Sequence, residues 1–348
     1  VIGKKSCIIN RGGGMNAWFS LVATLILVAI LALISYLGAA SASLGTLFGV
    51  VIPYVAMAIF VVGVIYRIVR WAKVPVPFRI PTTCGQAKSL PWIKADNLES
   101  PYNTWGLIGR MALEVLLFRS LFRNTKAELR DGPRVTYGSA KWLWLAGILF
   151  HYSFLTIIVR HLRFFIEPVP SFVELLSSVD GFFQILIPTV FLTDVALLAA
   201  ASYLFLRRVA IPQVRYISLP ADYFPLFLIL GIGISGLLMR NVWKVDLYSV
   251  KQLAMGLFTL HPTVPAGINP VFYVHLFLVS VLLAYFPFSK LMHAGGVFLS
   301  PTRNMRNVNR SERWVNPWNY PVKVHTYEEY ENEFRAKMKE AGIPVDKE

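Results

Sequence analysis

Four of the six histidines in this 348-residue chain fall in two apolar stretches. His151 and His161 stand ten residues apart within 142–165, and His275 and His293 stand eighteen apart within 271–296. Neutral imidazole is a ligand for metal ions and for haem iron. Two histidines on each of two membrane helices could hold two haems, one above the other, between the helices. Two other uses are open to such residues. They can be core histidines hydrogen-bonded to neighbours, or members of a proton relay, since a polar group at membrane depth is costly and needs a role. Eighteen residues at 100° each return His293 to the face of His275, and ten put His161 within about 80° of His151. The axial rises differ, ~15 Å against ~27 Å. Helix tilt, a bend at Pro287 and obliquely set haems must absorb that difference.

The elements that carry these residues follow from composition. The chain is 55% apolar and 15% charged, against ~25% charged in soluble proteins, and its mean hydropathy is +0.55. Several apolar runs exceed the ~18 residues that cross a bilayer. The expectation is an all-α integral membrane protein of six transmembrane helices, at 17–37, 47–68, 142–165, 185–206, 224–239 and 271–292. The first is longer than a signal peptide's core of about 7–15 residues and reads as a retained helix. The net charge of +15 fits the positive-inside rule better than nucleic-acid binding. With both termini in the cytoplasm, 29 of the 34 Lys and Arg residues lie on that side. Arg160, Arg163, Arg240, Lys244 and Lys251 remain outside. His151 then pairs with His293 at the inner level, and His161 with His275 at the outer level. Two cysteines, Cys7 and Cys84, are too few for a four-Cys zinc or iron–sulfur site and read as free thiols.

Four regions follow. Residues 1–70 hold two N-terminal spans. Residues 71–140 are a basic cytoplasmic or interfacial connection. Its prolines 75, 77, 81 and 91 oppose regular structure, and 105–130 has the spacing of an amphipathic helix, lying at the interface or docking a partner. Residues 141–299 form a four-helix bundle holding the histidines. The small-residue run 231–236 in it permits close packing or approach to a flat cofactor. Residues 240–270 read as an exterior loop, and 300–348 as a cytoplasmic tail closing in a charged helix at 327–341.

The 10-and-18 histidine spacing resembles that of the respiratory nitrate reductase gamma-subunit family, membrane cytochromes b with two haems between antiparallel helices. Three further stretches resemble a narrower group. They are Val135-Thr-Tyr-Gly-Ser-Ala-Lys-Trp142, Arg160-His-Leu-Arg-Phe164 and Phe288-Ser-Lys-Leu-Met-His-Ala-Gly-Gly-Val-Phe-Leu-Ser-Pro-Thr-Arg-Asn-Met305. They are similar to the DsrM-type cytochrome b subunits of the DsrMKJOP complex of dissimilatory sulfur metabolism. The resemblance covers roughly 70–320, and the two spans before 71 depart from the five-helix nitrate reductase pattern. It implies a di-haem cytochrome b bundle with two haems b on His151, His161, His275 and His293. It also implies menaquinone as substrate and a multi-pass place in the cytoplasmic membrane. The implied partners are a cytoplasmic iron–sulfur subunit resembling heterodisulfide reductase (DsrK-like), the other DsrMKJOP subunits including a multihaem cytochrome c, and indirectly the sulfur carrier DsrC.

Bound haems expose propionates. Arg160, Arg163 and Arg240 at the outer level, and Arg303 inside, can pair with them or with lipid headgroups. Asp194, within a span, needs a partner or a proton. His261 is a surface loop residue or a proton acceptor near a quinone entrance. Two alternative functions stay open: a cytochrome b subunit of nitrate reductase or of a methanogen heterodisulfide reductase, and a haem-free anchor or transporter.

Overall fold

The computed structural model describes residues 12–40, 44–74, 85–130, 134–181, 189–300, 303–307 and 324–347. Cys7 and Cys84, and the start of the expected span 185–206, lie outside them. The chain divides into two compact units, one of residues 1–74 with 108–300 and one of 75–107 with 301–348.

Among the described residues of the first unit, five helices are long and apolar enough to cross a membrane: Ala17–Ala40, Leu47–Ala72, Lys141–Phe164, Pro220–Asn241 and Pro270–Phe288. They belong to α1 (Gly12–Ala40), α2 (Ile52–Ala72, entered through a π-helical turn Leu47–Val51), α5 (Lys141–His161), α9 (Pro220–Asn241) and α11 (Pro270–Tyr285). Side chains such as Phe19, Leu37, Val62 and Leu155 stand exposed on their outer faces, as lipid-facing residues do. Intramembrane hydroxyls are satisfied locally: Thr24 donates to Ser20 O and Ser35 to Leu31 O, which spares them an unpaired group in hydrocarbon. α11 packs on α9, α1 and α2, and Leu278 on it joins Leu228 and Leu197 in the core.

α7 (Leu192–Ala210) packs against both α5 and α9. It covers the second part of the expected fourth span, with Asp194 in its first turn and Arg207 and Arg208 in its last. It is not among the five apolar helices. α8 (Pro212–Tyr216) follows it.

Two stretches differ from their sequence-based expectation. The helix expected over 105–130 stops early. α3 (Thr104–Leu117) ends at Phe118, whose φ of 49° is left-handed, and α4 (Arg119–Arg123) is a single turn. Then β1 (Thr125–Arg130) pairs antiparallel with β2 (Arg134–Ser139). The break is held from outside the segment. The indole N–H of Trp144 donates to Leu117 O (2.7 Å) and the Tyr152 hydroxyl to Leu116 O (2.8 Å), taking carbonyls that a longer helix would have used. The Glu114 carboxylate accepts from the Ser120 N–H and hydroxyl and so caps the new turn. The exterior loop expected at 240–270 contains α10 (Leu247–Phe258), N-capped by Asp246, which accepts from the N–H groups of Tyr248 and Ser249. α6 (Ser171–Asp180) is a further short helix between α5 and α7.

α11 does not run straight to His293. At Pro287 it passes into a 3-10 turn, Ser289 is extended (φ −114°, ψ 176°), and a second 3-10 turn leads into α12 (His293–Gly296). The break packs on α2, where a Cβ added at Gly63 would lie 2.7 Å from Pro287 Cβ.

In the second unit, Asn307 ties its two segments together. Its amide donates to Ser100 Oγ and its backbone N–H to Pro101 O, each at 2.7 Å. The charged tail helix is α13 (Tyr327–Glu340), opened by a Thr326–Glu329 capping box. Its buried Glu331 accepts from the N–H groups of Asp346 and Lys347 and from Arg335.

Candidate functional site

α5 carries His151 and His161, about 15 Å apart along its axis by helical rise. α11 and α12 bring His275 and His293 opposite them. The ring centres of His151 and His293 lie 5.9 Å apart with planes at 87°. Those of His161 and His275 lie 6.4 Å apart and nearly parallel, at 9°. Phe118, at the α3–α4 break, stands edge-to-face with His151, ring centres 5.0 Å apart, and Phe150 lies on another side.

Each of the four rings is oriented through Nδ1. His151 bonds Gly147 O (2.7 Å), His161 bonds Ile157 O (2.7 Å) and His293 bonds Lys290 O (2.8 Å). His275 reaches across to α9, where Ile232 O (3.1 Å) and Ser235 Oγ (3.0 Å) receive it. A carbonyl can only accept, so every Nδ1 carries the proton and every Nε2 keeps its lone pair. Such a bond from one ring nitrogen fixes a histidine's tautomer and orientation and leaves the other nitrogen able to ligate a metal. α9 comes close enough because position 236 is glycine: a Cβ there would sit 3.4 Å from the His275 ring.

These donors fit a haem. Each level would offer the iron one imidazole from α5 and one from the opposite segment, with ring centres 5.9 and 6.4 Å apart. Among the described residues no group of three or more His, Cys, Asp or Glu gathers as for a free ion. Two imidazoles per site suit a metal that brings its equatorial ligands with it.

Beside His161, three arginines converge on one ring. The guanidinium carbons of Arg160, Arg240 and Arg163 lie 3.8, 4.4 and 6.0 Å from the Phe191 centroid, within cation–π range. Arg160 is buried and ion-paired, with Asp194 at 2.5 Å and Asp180 at 3.0 Å. Thr193 joins them, its N–H and hydroxyl donating to Asp180 while its oxygen accepts from Arg160. Arg240 donates to Thr189 O. Among the described residues no carboxylate lies within ion-pair distance of Arg163 or Arg240. The cluster therefore carries three cations against two anions.

Asp194 thus has its partner in Arg160. Arg303 lies in the second unit, apart from the unit that carries the histidines. His261 is an exposed loop residue with Nδ1 on Thr259 O, away from both pairs in the chain's hydrogen bonding. Sequence reasoning passed over Asp180, Phe191, Ser235 and Phe118. Asp180 carried little signal, being one of three acids, with Glu167 and Glu174, in the stretch between spans. The other three are ordinary residues of apolar helices and loops, given a role only by what stands opposite.

Residues 103–310 match the family described as "Nitrate reductase gamma subunit". A protein of Archaeoglobus fulgidus named "Hdr-like menaquinol oxidoreductase cytochrome b-like subunit" is 55% identical over 282 residues, covering 79% of this chain and 84% of its own length. A protein of the same name from Archaeoglobus profundus is 44% identical over 274 residues, covering 77% and 81%. The matched segment contains α5, α11 and α12, and with them all four facing histidines. The chain belongs to the nitrate reductase gamma-subunit family.

Proposed function

We propose that the chain is the membrane cytochrome b subunit of a menaquinol-linked oxidoreductase, carrying electrons between menaquinone and a cytoplasmic iron–sulfur partner through two haems b. The observation that carries this reading is the pair of facing imidazoles at each of two levels, with all four Nε2 atoms left free by Nδ1 bonds. His151 and His293 would hold one haem, and His161 and His275 the other. A haem so bound supplies one-electron redox chemistry. The chain's own contribution is to fix the ligands' tautomers and planes. Arg163 and Arg240, cationic and without carboxylate partners, suit the propionates beside His161, while Arg160 is already neutralised by its two aspartates.

The two relatives' names support menaquinol as substrate and a partner of heterodisulfide-reductase type. The narrower DsrM-type reading, with DsrK-like and multihaem cytochrome c partners and DsrC further along, rests on the motifs around Lys141, His161 and His293. Six spans, with α7 as the fourth, and both termini in the cytoplasm complete the proposal. A dithionite-reduced minus oxidised spectrum with pyridine haemochrome quantitation tests it. Two haems b per chain are expected, falling to one in either His151→Ala or His275→Ala. A haem-free intact preparation overturns the reading.

A further inference from the structure

Three of the four facing histidines are aimed by their own stretch of chain. His151 and His161 bond carbonyls four residues back on α5, and His293 bonds Lys290 O three residues back. His275 is the exception. Both of its acceptors, Ile232 O and Ser235 Oγ, stand on α9, a helix that carries none of the four. The three polar atoms close a triangle. The Ser235 hydroxyl donates to Ile232 O at 2.9 Å, which leaves its lone pairs for the Nδ1–H of His275 at 3.0 Å. Ser235 is buried, and a Cβ on its neighbour Gly236 would touch Cε1 of the same ring at 3.4 Å. A side chain on another helix thus decides how this one ring stands.

The two levels also differ in ring planes. His161 and His275 are within 9° of parallel, while His151 and His293 cross at 87°. The angle between two axial imidazole planes sets how far the π orbitals of a low-spin ferric iron are split. Parallel planes split them and give a rhombic signal. Crossed planes leave them nearly equal and give a highly anisotropic one. A second acceptor on Nδ1–H makes the imidazole a stronger donor, which favours ferric over ferrous iron. We propose that Ser235 is a positioning residue that holds the His275 ring parallel to His161 and lowers the potential of that site alone, so that the two levels are electronically unequal. The inference rests on the two-haem reading above and adds the side chain that sets one haem apart from the other.

The test is ferric electron paramagnetic resonance with redox potentiometry on the haem-loaded full chain. Wild type is expected to show one rhombic and one highly anisotropic low-spin signal, and His161→Ala to remove the rhombic one. Ser235→Ala leaves Ile232 O as the lone acceptor. It is expected to move the rhombic signal toward greater anisotropy and to raise the midpoint of that haem, with the other signal and midpoint unchanged. Ser235→Thr keeps a hydroxyl and is expected to retain the wild-type values. Should Ser235→Ala lose its haem, Ser235→Cys, a weaker acceptor, is expected to show the same shifts in smaller size. Two wild-type signals of one kind, no change on removing the hydroxyl, or equal shifts at both haems overturn the assignment and leave the two-haem reading standing. A full chain that binds no haem removes that reading and this inference together.

Discussion

A guanidinium only 4% exposed needs its charge matched, and Arg160 meets that need at both Asp180 and Asp194. Removing one partner of a buried ion pair costs roughly 3–5 kcal/mol, because the other charge stays behind unpaired. Arg160→Met is expected to destabilise the detergent-solubilised protein by about that much, read as a lowered melting temperature of the haem signal. Adding Asp194→Asn removes one stranded charge and is expected to recover part of the loss. A double variant no more stable than the single one would show that the two side chains do not act as a pair. The sequence made Arg160 and Asp194 conspicuous singly, as charges inside apolar runs. Their pairing joins positions 34 residues apart, and no local pattern encodes it. The facing histidines were legible for the opposite reason. Antiparallel helices pair His151 with His293 and His161 with His275 from chain order alone, whereas the level of His293 is set by the break after α11.

The same contrast holds for the elements. Long apolar helices declare themselves by length, and α1, α2, α5, α9 and α11 lie where hydropathy puts them. α3 was read too long because 105–130 keeps helical spacing past Phe118, and what stops it comes from Trp144 and Tyr152 on another helix. α10 was overlooked although Asp246 and the apolar residues after it form a recognisable helix start. The break after α11 answers the mismatch in rise. A straight helix would carry His293 ~27 Å from His275, too far to face His151. The 3-10 turns and extended Ser289 end that climb. Gly63 on α2 lets the break sit where it does. Gly63→Val is therefore expected to cost about 1–3 kcal/mol through overpacking against Pro287. It is expected to deplete the haem of His151 and His293 while sparing the other, a difference that redox-potentiometric titration resolves. Equal loss from both sites would mean that the break does not set the position of His293.

For the molecule as a whole, the skewed distribution of Lys and Arg implies one orientation. In a variant with Cys7 and Cys84 replaced by serine, a cysteine at Lys244 is expected to react with a membrane-impermeant maleimide in intact cells. One at Lys337 on α13 is expected to react only after lysis. The reverse pattern would invert the topology and with it the inner and outer levels of the histidine pairs. The four Nδ1 bonds also bear on how the protein is made. His151 and His161 bond carbonyls one turn back on their own helix, so both are aimed as soon as α5 has formed. His275 takes its bonds from α9; the His161–His275 pair waits for α11, and the His151–His293 pair for the turns after it. Half of each ligand set is thus synthesised more than a hundred residues before the other half. If the four histidines hold haem as proposed, cofactor loading is a late event in biogenesis, and a chain truncated before α11 would have its first two imidazoles aimed and nothing to close on.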